Sequence, residues 1–350
     1  MTPLARLLRE RIRATGPLSL ADYMGEALAH PEHGYYRSRD PLGVAGDFTT
    51  APEISQMFGE LIGLWCAVVW QSMGSPTEVV LAEVGPGRGT LMADLLRAAA
   101  MVPEFSRAIR VHLVETSRPL RAKQADRLAG VAPVWHDDLS TLPPGPLLLV
   151  ANEFFDALPV HQWIRRSDGW HERMVGADGD ALVFVDGPLA HGLTAPVATE
   201  GAIFETNPAA RDIAAAIGQR LAASGGAALI IDYGHPASAL GDTVQAVRRH
   251  AYAPVLEAPG EADLTAHVDF QALAQAARPA QCFGPVTQGS FLRALGIELR
   301  CERLTRSSPD KAGEIAAACR RLIDATEMGT LFKALAMTQP MLPCPPGFAA

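Results

Sequence analysis

The sequence has no apolar run long enough to cross a membrane and no long basic run. Its longest apolar stretches, such as residues 147–151 and 227–231, are far shorter than the roughly 20 residues of a membrane-spanning helix. The net charge is −8, whereas a nucleic-acid-binding surface needs clustered lysine and arginine. We therefore expect no membrane segment and no nucleic-acid partner.

Cysteine is also scarce, because only five cysteines occur among 350 residues and none forms a C-x-x-C pair. An odd, widely spaced set indicates reduced thiols in a cytosol-like compartment and no metal site. The composition is 48% hydrophobic and 19% charged, which is typical of a soluble globular enzyme rather than a disordered chain. The five are Cys66, Cys282, Cys301, Cys319 and Cys344.

Near the N-terminus, four aliphatic residues share one helical face. This pattern occurs both in targeting peptides and in amphipathic helices that dock on a domain. Glu10 interrupts the basic face and Gly16-Pro17 would end the helix, which favours a docked helix and a cytoplasmic protein. The four residues are Leu4, Leu7, Leu8 and Ile12.

From residue 78 the hydrophobic pattern alternates between strands and helices. This alternation predicts an α/β, Rossmann-like parallel sheet covered on both faces, with ligands bound at the carboxyl ends of its strands. We expect strands at 79–84, 109–115, 134–137, 147–152 and 227–233, and helices at 90–100, 118–129 and 209–223.

The remaining segments predict additions to this sheet. Residues 1–75 form an N-terminal helical extension, and residues 76–350 form the main domain with insertions at about 161–190 and 235–300. The first insertion has hairpin turns and predicts antiparallel strands. We also expect helices near 269–277, 288–295 and 310–326 and a last strand at 331–338.

A glycine-rich loop, residues 83–90, follows the first predicted strand. Gly85 allows a turn at positive φ, and the G-x-G-x-G spacing is one residue tighter than the dinucleotide fingerprint. The carboxylate of Glu83 would repel a pyrophosphate but suits an ammonium group, which favours S-adenosylmethionine as ligand. We expect the Thr90 hydroxyl to cap the next helix; the alternative for the whole loop is a tight turn without a ligand.

Acids also follow the next two predicted strands. Glu115 can accept hydrogen bonds from both ribose hydroxyls of an adenosine, or it is only a solvated acid at a helix start. Asp137 or Asp138 can accept from the adenine amine, while Trp135 or Leu139 packs on its ring. The alternative there is a turn with an aspartate cap.

The fourth predicted strand runs into Asn152-Glu153-Phe154-Phe155-Asp156. Carboxylates accept the forked N–H donors of a guanidinium and can take the proton that it must lose on methylation. The alternative is a helix N-cap formed by Asn152 or Asp156. His235 and His267 could face the same edge of the sheet, although a lone histidine is more often structural.

These stretches resemble the MidA family of class I S-adenosylmethionine-dependent methyltransferases, which includes the mitochondrial complex I assembly-factor methyltransferase. The resemblance covers residues from about Pro17 to Pro340. It implies methylation of a protein arginine, with a complex I core subunit as the known target of the mitochondrial member. The matching stretches are 17–20, 46–55, 83–90, 152–159, 231–235 and 262–270.

The expected site combines the residue-based inferences with this resemblance. The group that binds S-adenosylmethionine, and its product S-adenosylhomocysteine, comprises Gly46, Asp47, Thr49, Thr50, Glu83, Gly85, Pro86, Gly87, Glu115, Asp137 and Asp138. The catalytic group is Asn152, Glu153 and Asp156, and the substrate rim is Phe154, Phe155, His235 and His267.

Two further functions compete with a protein arginine methyltransferase. The first is a non-catalytic complex I assembly chaperone that retains a donor pocket, which the intact motifs at both cofactor and substrate strand ends disfavour. The second is a nicotinamide-dependent enzyme, which Glu83 and the glycine spacing disfavour. The expected partners are a protein substrate and a second copy of the chain in a homodimer.

Overall fold

A computed structural model describes residues 2–38 and 50–349. Its contacts divide the chain into two compact units. The first unit comprises Met1–Phe48, Asp156–Asp212 and Ala237–Asp269, and the second comprises Thr49–Phe155, Ile213–Pro236 and Phe270–Ala350. The sequence predicted a different kind of division, between an extension at residues 1–75 and a domain at 76–350, and this division stays a prediction.

The helices of the described chain are interspersed with short 3-10 turns at Leu139–Thr141, Phe155–Ala157 and Pro309–Lys311. The α-helices are α1 (Pro3–Thr15), α2 (Leu20–Ala29), α3 (Tyr35–Ser38), α4 (Ala51–Ile54), α5 (Gln56–Ser72), α6 (Thr90–Ala99), α7 (Pro103–Ala108), α8 (Arg118–Arg127), α9 (Pro208–Ser224), α10 (Phe270–Ala276), α11 (Gln288–Ala294), α12 (Ile297–Ser307), α13 (Ala312–Ile323) and α14 (Met328–Leu331).

The strands follow in the same numbering. They are β1 (Leu18–Ser19), β2 (Val79–Val84), β3 (Ile109–Val114), β4 (Val134–His136), β5 (Leu147–Asn152), β6 (His161–Arg166), β7 (Gly169–Asp178), β8 (Ala181–Leu189), β9 (Ile203–Thr206), β10 (Gly226–His235), β11 (Gln245–Arg248), β12 (Ala251–Ala253), β13 (Asp263–Thr265), β14 (Val268–Asp269), β15 (Gln281–Thr287) and β16 (Phe332–Thr338).

The second unit is built on a mixed sheet with the order β15-β16-β10-β5-β2-β3-β4. The run from β10 to β4 is parallel, whereas β16 is antiparallel to both of its neighbours. Every residue of β2 and β5 is buried, as expected for central parallel strands covered on both faces. The expected α/β sheet is confirmed.

Two helices of the second unit, α5 and α6, pack closely against each other within its core. The apolar face of α5, including Phe58, Ile62 and Trp65, is buried in the same cluster as Leu91 and Leu95 of α6. This packing fixes the start of α6, and therefore the glycine loop that precedes it, against the sheet.

The first unit contains two antiparallel sheets. One has the order β1-β7-β6-β9 with β8 beside β7, and the other has the order β12-β11-β13. The antiparallel strands expected at 161–190 are therefore confirmed. The amphipathic helix expected at the N-terminus is α1, which buries Leu4, Leu8 and Ile12.

Some structural expectations drawn from the sequence were wrong. Leu7 of α1 is 43% exposed, while Arg9, which is outside the predicted apolar face, is buried and paired with Asp180. The insertion at about 235–300, for which only helices were expected, also contains the strands β11 to β15, and α12 was not expected. Short strands with few aliphatic residues give a weak alternation signal. Within the described residues, no helix combines the length and apolarity that a membrane span requires.

Candidate active site

The candidate residues of the second unit lie at one edge of its sheet. In the parallel register, Glu83 of β2 lies beside Leu113 of β3 and Val150 of β5. Asn152 at the end of β5 lies beside Ile231 of β10. The carboxyl ends of four strands therefore meet at the edge where parallel sheets bind ligands.

Glu83 is a buried acid with an unsatisfied oxygen. Its side chain is 3% exposed, and among the described residues no hydrogen-bond donor reaches its Oε2. Burial raises the pKa of this carboxyl well above its usual value, and the nearby charge of Glu115 adds to the effect, while a backbone hydrogen bond from Met92 opposes it. A buried acceptor without a donor is costly, so this site suits a ligand that brings a cationic N–H group.

The glycine loop reaches its shape through left-handed backbone. Gly85, Gly87 and Gly89 have φ values of 64°, 52° and 77°. A Cβ atom added to Gly85 would lie 3.0 Å from Cδ2 of Phe154, so the ring or the loop would have to shift to admit a side chain. Pro86 is buried, and its carbonyl accepts the N–H of Gly89 at 2.7 Å. The loop therefore leaves its backbone without side chains at these positions, and contact between this backbone and a ligand stays a prediction.

The expected cap of α6 was wrong. The N-cap is Gly89, which has no side chain to cap with, and the Thr90 hydroxyl instead donates to Glu53 Oε1 at 2.5 Å. Glu53 Oε2 also lies 3.9 Å from the Arg88 guanidinium. Glu53 of α4 thus holds the end of the glycine loop. Its sequence position, after Pro52 in a first helical turn, is that of an ordinary helix-start acid.

Glu115 follows β3 and its carboxylate is held by donors. Oε1 accepts the backbone N–H of Ser117 at 2.7 Å, and Oε2 accepts from the side-chain amide of Gln124 at 3.3 Å. Burial raises the pKa of Glu115, although these hydrogen bonds oppose the change. The alternative of a solvated helix-start acid does not describe these contacts. Its ribose role stays a prediction.

The two acids after β4 have separate partners. Asp137 is exposed and accepts from the Arg121 guanidinium at 2.6 Å. Asp138 Oδ1 accepts the N–H of Ser140 at 2.7 Å and caps the 3-10 turn, and hydrogen bonding to Ser140 lowers its pKa. The turn-and-cap alternative therefore describes Asp138. Adenine binding by either acid stays a prediction.

Asn152 and Glu153 form a compact acceptor group at the end of β5. Glu153 has a left-handed backbone, with φ of 50°. Its Oε1 accepts the Ala51 N–H at 2.9 Å and the Asn152 side-chain amide at 3.1 Å. Asn152 is 8% exposed, and no donor from the described part of the chain reaches its Oδ1. Glu153 therefore caps α4, and not the helix that follows it in sequence.

Asp232 of β10 lies close to the acceptor group in the fold and is fully buried. Its Oδ2 accepts the N–H groups of Phe154 and Phe155 at 3.2 and 2.9 Å, and its Oδ1 accepts the N–H of Tyr233 at 2.9 Å. The rings of Phe154 and Phe155 are perpendicular, with centroids 5.3 Å apart. Asp232 therefore fixes the turn that carries the acceptor group.

The first unit holds a separate group around Asp156. Asp156 and Asp263 are both buried, and the Tyr36 hydroxyl donates to Asp263 Oδ1 at 2.9 Å. Burial raises the pKa of Tyr36, and the charges of Asp263 and Asp156 raise it further. The carbonyl of Asp156 accepts the Ala266 N–H at 2.9 Å, which brings the segment before His267 next to Asp156. Sequence reasoning did not find Tyr36 or Asp263, because neither follows a sheet strand.

The other expected residues are distributed as follows. His235 ends β10 and is partly buried, and His267 donates its backbone N–H to the Thr243 hydroxyl at 2.9 Å. Thr50 is the N-cap of α4, and within the described residues its side chain makes no capping hydrogen bond. The predictions for Gly46, Asp47 and Thr49 lie outside the described residues.

A family model matches residues 61–286 of the chain, and its description is "Putative S-adenosyl-L-methionine-dependent methyltransferase". The match covers more than half of the sequence and includes the glycine loop, Glu115 and the acceptor group.

Curated relatives carry the name "Protein arginine methyltransferase NDUFAF7, mitochondrial". The Xenopus tropicalis protein is 39% identical, and the alignment covers 92% of this chain and 83% of that protein. The mouse protein is 41% identical over 91% of this chain and 78% of its own length. The human protein is 38% identical over 96% and 83%.

Solved structures agree with this relationship. A structure from Burkholderia thailandensis bound to S-adenosyl-homocysteine superposes with a TM-score of 0.83 and 29% identity, covering 99% of this chain and 92% of that chain. A second structure from the same organism gives a TM-score of 0.83 and 31% identity with the same coverage. The chain therefore belongs to the MidA family of S-adenosylmethionine-dependent methyltransferases with a class I fold.

Proposed function

We propose that this methyltransferase transfers its methyl group to a guanidinium nitrogen of an arginine in a protein. The observation that carries the proposal is the acceptor group at the end of β5. There Oδ1 of Asn152, which no donor among the described residues reaches, is buried beside the carboxylate of Glu153. A guanidinium offers only N–H donors, so it complements a group of oxygen acceptors.

The same group answers a chemical requirement of arginine methylation. A guanidinium is protonated at neutral pH and its cationic nitrogen has no lone pair to attack with. Glu153 would draw the positive charge of the guanidinium towards the nitrogen that it binds and would take the proton released there. Asn152 would orient the two N–H donors of the guanidinium. Asp232 would keep both residues in place through the turn at Phe154 and Phe155.

The donor side of the second unit fits S-adenosylmethionine. When bound, this cofactor supplies a methyl group on a sulfonium and leaves as S-adenosylhomocysteine. The unsatisfied Oε2 of Glu83 would accept from its ammonium group, Glu115 would bind its ribose, and the bare backbone at Gly85 and Gly87 would pass close to it. Glu53 would hold the loop in this shape.

The relatives named protein arginine methyltransferase support the same acceptor for this chain. We propose a complex I core subunit as the protein that is methylated, because the sequence resembles the MidA family and its mitochondrial member. A cytoplasmic location is in keeping with five free cysteines. A homodimer stays a prediction, which sedimentation of the purified protein would test.

The test is methyl transfer to proteins from cells that lack this enzyme. Purified protein is incubated with their lysate and isotopically labelled S-adenosylmethionine, and labelled residues are identified by mass spectrometry. We expect label on arginine and at least a 100-fold lower rate for Glu153→Gln. Asp156→Asn tests the second expected acid separately. Label on another residue type would overturn the proposed acceptor.

Exposed acids supply matched controls, because Glu104→Gln and Asp126→Asn make the same chemical changes away from the site. Both controls should keep the full rate. If Glu153→Gln keeps it as well, the assignment of the acceptor group is wrong. If the protein binds S-adenosylmethionine but labels nothing, the assembly-chaperone alternative is favoured.

A further inference from the structure

Gln124 is a fully buried glutamine of α8 that touches three separate parts of the donor site. Its Nε2 donates to the carbonyl of Gly87 at 2.7 Å and to Glu115 Oε2 at 3.3 Å. Its Oε1 accepts from the indole Nε1 of Trp135 in β4 at 2.8 Å. One side chain therefore joins the glycine loop, the acid that follows β3 and the tryptophan ring of β4.

The orientation of this amide is fixed by chemistry. The indole N–H of Trp135 can only donate, so it must face the amide oxygen. The carbonyl of Gly87 and the carboxylate of Glu115 can only accept, so they must face the NH₂ group. No flipped orientation satisfies any of the three partners.

The contacts also fill the space beside the loop. A Cβ atom added to Gly89 would lie 3.5 Å from the Cα and Cγ atoms of Gln124, which is ordinary van der Waals contact. The glutamine stem thus packs directly against the last glycine of the loop. Without Gln124, the Gly87 carbonyl, the Glu115 carboxylate and the Trp135 indole would lose the hydrogen bonds that fix their relative positions.

We propose that Gln124 is a positioning residue for S-adenosylmethionine, which holds the carboxylate of Glu115, the backbone of Gly87 and the ring of Trp135 in one donor-binding arrangement. It acts through these residues and need not touch the cofactor itself. The inference rests on the cofactor and not on the identity of the methyl acceptor, so it fails or stands independently of arginine methylation.

The charges around Glu115 decide how substitutions of Gln124 respond to pH. Glu83 of β2 is near enough to Glu115 for the charge of Glu115 to raise the pKa of Glu83, and Arg121 of α8 faces Glu115 with an opposite charge. Arg121 is shared with Asp137 and with the carbonyls of Glu115 and His136. Gln124 is therefore a neutral hydrogen-bond donor to Glu115, and its loss disfavours the ionised form of Glu115. Its replacement by an acid adds a third carboxylate beside those of Glu83 and Glu115.

The test is calorimetric titration of the full-length protein with S-adenosylmethionine at pH 6 and pH 8. Gln124→Met keeps the length but removes the donor, and we expect about tenfold weaker binding at pH 8 with a larger deficit at pH 6. Gln124→Glu keeps the acceptor for Trp135 but places a carboxylate against Glu115. We expect about 100-fold weaker binding at pH 8 with a smaller deficit at pH 6, where the new acid regains a proton.

Gln219 is a matched control, because it is an exposed glutamine of α9 to which both substitutions can be made. Its variants should bind like the unmodified protein at both pH values. Thermal unfolding without cofactor identifies a Gln124 variant that fails to fold, and Gln124→Asn provides a milder change. Equal, pH-independent deficits in Gln124→Met and Gln124→Glu, or no deficit at all, would overturn the proposal.

Discussion

The carboxylate of Asp232 accepts the backbone N–H of Phe155 at 2.9 Å, and the same oxygen accepts the N–H of Phe154 at 3.2 Å. One buried acid of β10 thus holds the turn that follows β5. Because Asp232 is completely buried, no water can replace it as an acceptor. The turn that carries Asn152 and Glu153 depends on this contact for its shape.

We predict that Asp232→Asn lowers the free energy of unfolding by about 2 kcal/mol, because the amide turns an N–H towards buried backbone donors and leaves them unsatisfied. Urea unfolding measures the loss. Asp212→Asn, which changes an exposed acid of α9, should cost less than about 0.5 kcal/mol. Equal losses for the two variants would mean that Asp232 does not hold the turn.

A second prediction concerns the contact between Gly85 and Phe154. Gly85→Ala should weaken S-adenosylmethionine binding at least tenfold, because the new methyl group at 3.0 Å from the Phe154 ring requires the loop or the ring to shift. Calorimetric titration measures the affinity. The same substitution in a Phe154→Ala background should cost less, since the crowding is removed.

Gly179 provides the control for backbone strain. It has a comparable φ of 55°, and an added Cβ atom meets nothing within 4 Å. Gly179→Ala should therefore lose about 1 kcal/mol of stability from left-handed backbone alone and keep its affinity for the cofactor. If it binds as poorly as Gly85→Ala, the contact with Phe154 is not the cause.

The third prediction concerns pH and Glu83. Burial raises the pKa of this carboxyl well above its usual 4.5. Between pH 4.5 and the raised pKa the folded protein holds a proton that the unfolded chain releases, so stability falls as the pH rises through this window. A cationic ligand group favours the ionised form, so S-adenosylmethionine should bind with release of a proton and more tightly as the pH rises.

Calorimetry in two buffers of different ionisation enthalpy measures the protons released. Glu83→Gln should bind at least tenfold more weakly at pH 8 and release fewer protons, because its side chain does not titrate. Glu104→Gln changes an exposed acid and should match the unmodified protein. Unchanged proton release in Glu83→Gln would exclude Glu83 as the titrating group.

The fourth prediction uses two helical glycines. A Cβ atom on Gly218 of α9 would lie 1.8 Å from the carbonyl oxygen of Ala277, so Gly218→Ala should lower the free energy of unfolding by about 3 kcal/mol. Gly313 of α13 has open space at the same position, and Gly313→Ala should raise it by up to about 1 kcal/mol. Thermal and urea unfolding measure both, and a loss in each variant would contradict this packing.

Much of the second unit follows from local sequence. The apolar runs of β2 and β5 and the helical periodicity of α6 placed those elements within one or two residues. The glycine spacing and Glu83 favoured a donor with a cationic group, and the family comparisons confirm S-adenosylmethionine. These signals are local because burial on both faces leaves a continuous apolar strand, and a tight turn needs glycine where it turns.

The contacts that join distant segments could not be predicted in this way. Glu53 holds Thr90, Asp232 holds Phe155, and Gln124 meets Trp135, and in each pair the partners are separated by other elements. A polar residue in a helix or strand carries no local sign of its distant partner, so the sequence describes it as a solvated or capping group. In the folded chain these partners are buried or partly buried, which limits competition from water and strengthens the hydrogen bonds.

The sequence by itself therefore determined the sheet, the glycine loop and the acids that follow its strands, because these depend on hydrophobic period and backbone freedom. Only the tertiary structure decided which acids bury an oxygen that no described donor reaches, as at Glu83 Oε2, and which hold the backbone, as at Asp232. The physical reason is that desolvation and hydrogen-bond partners depend on neighbours that are distant in the chain.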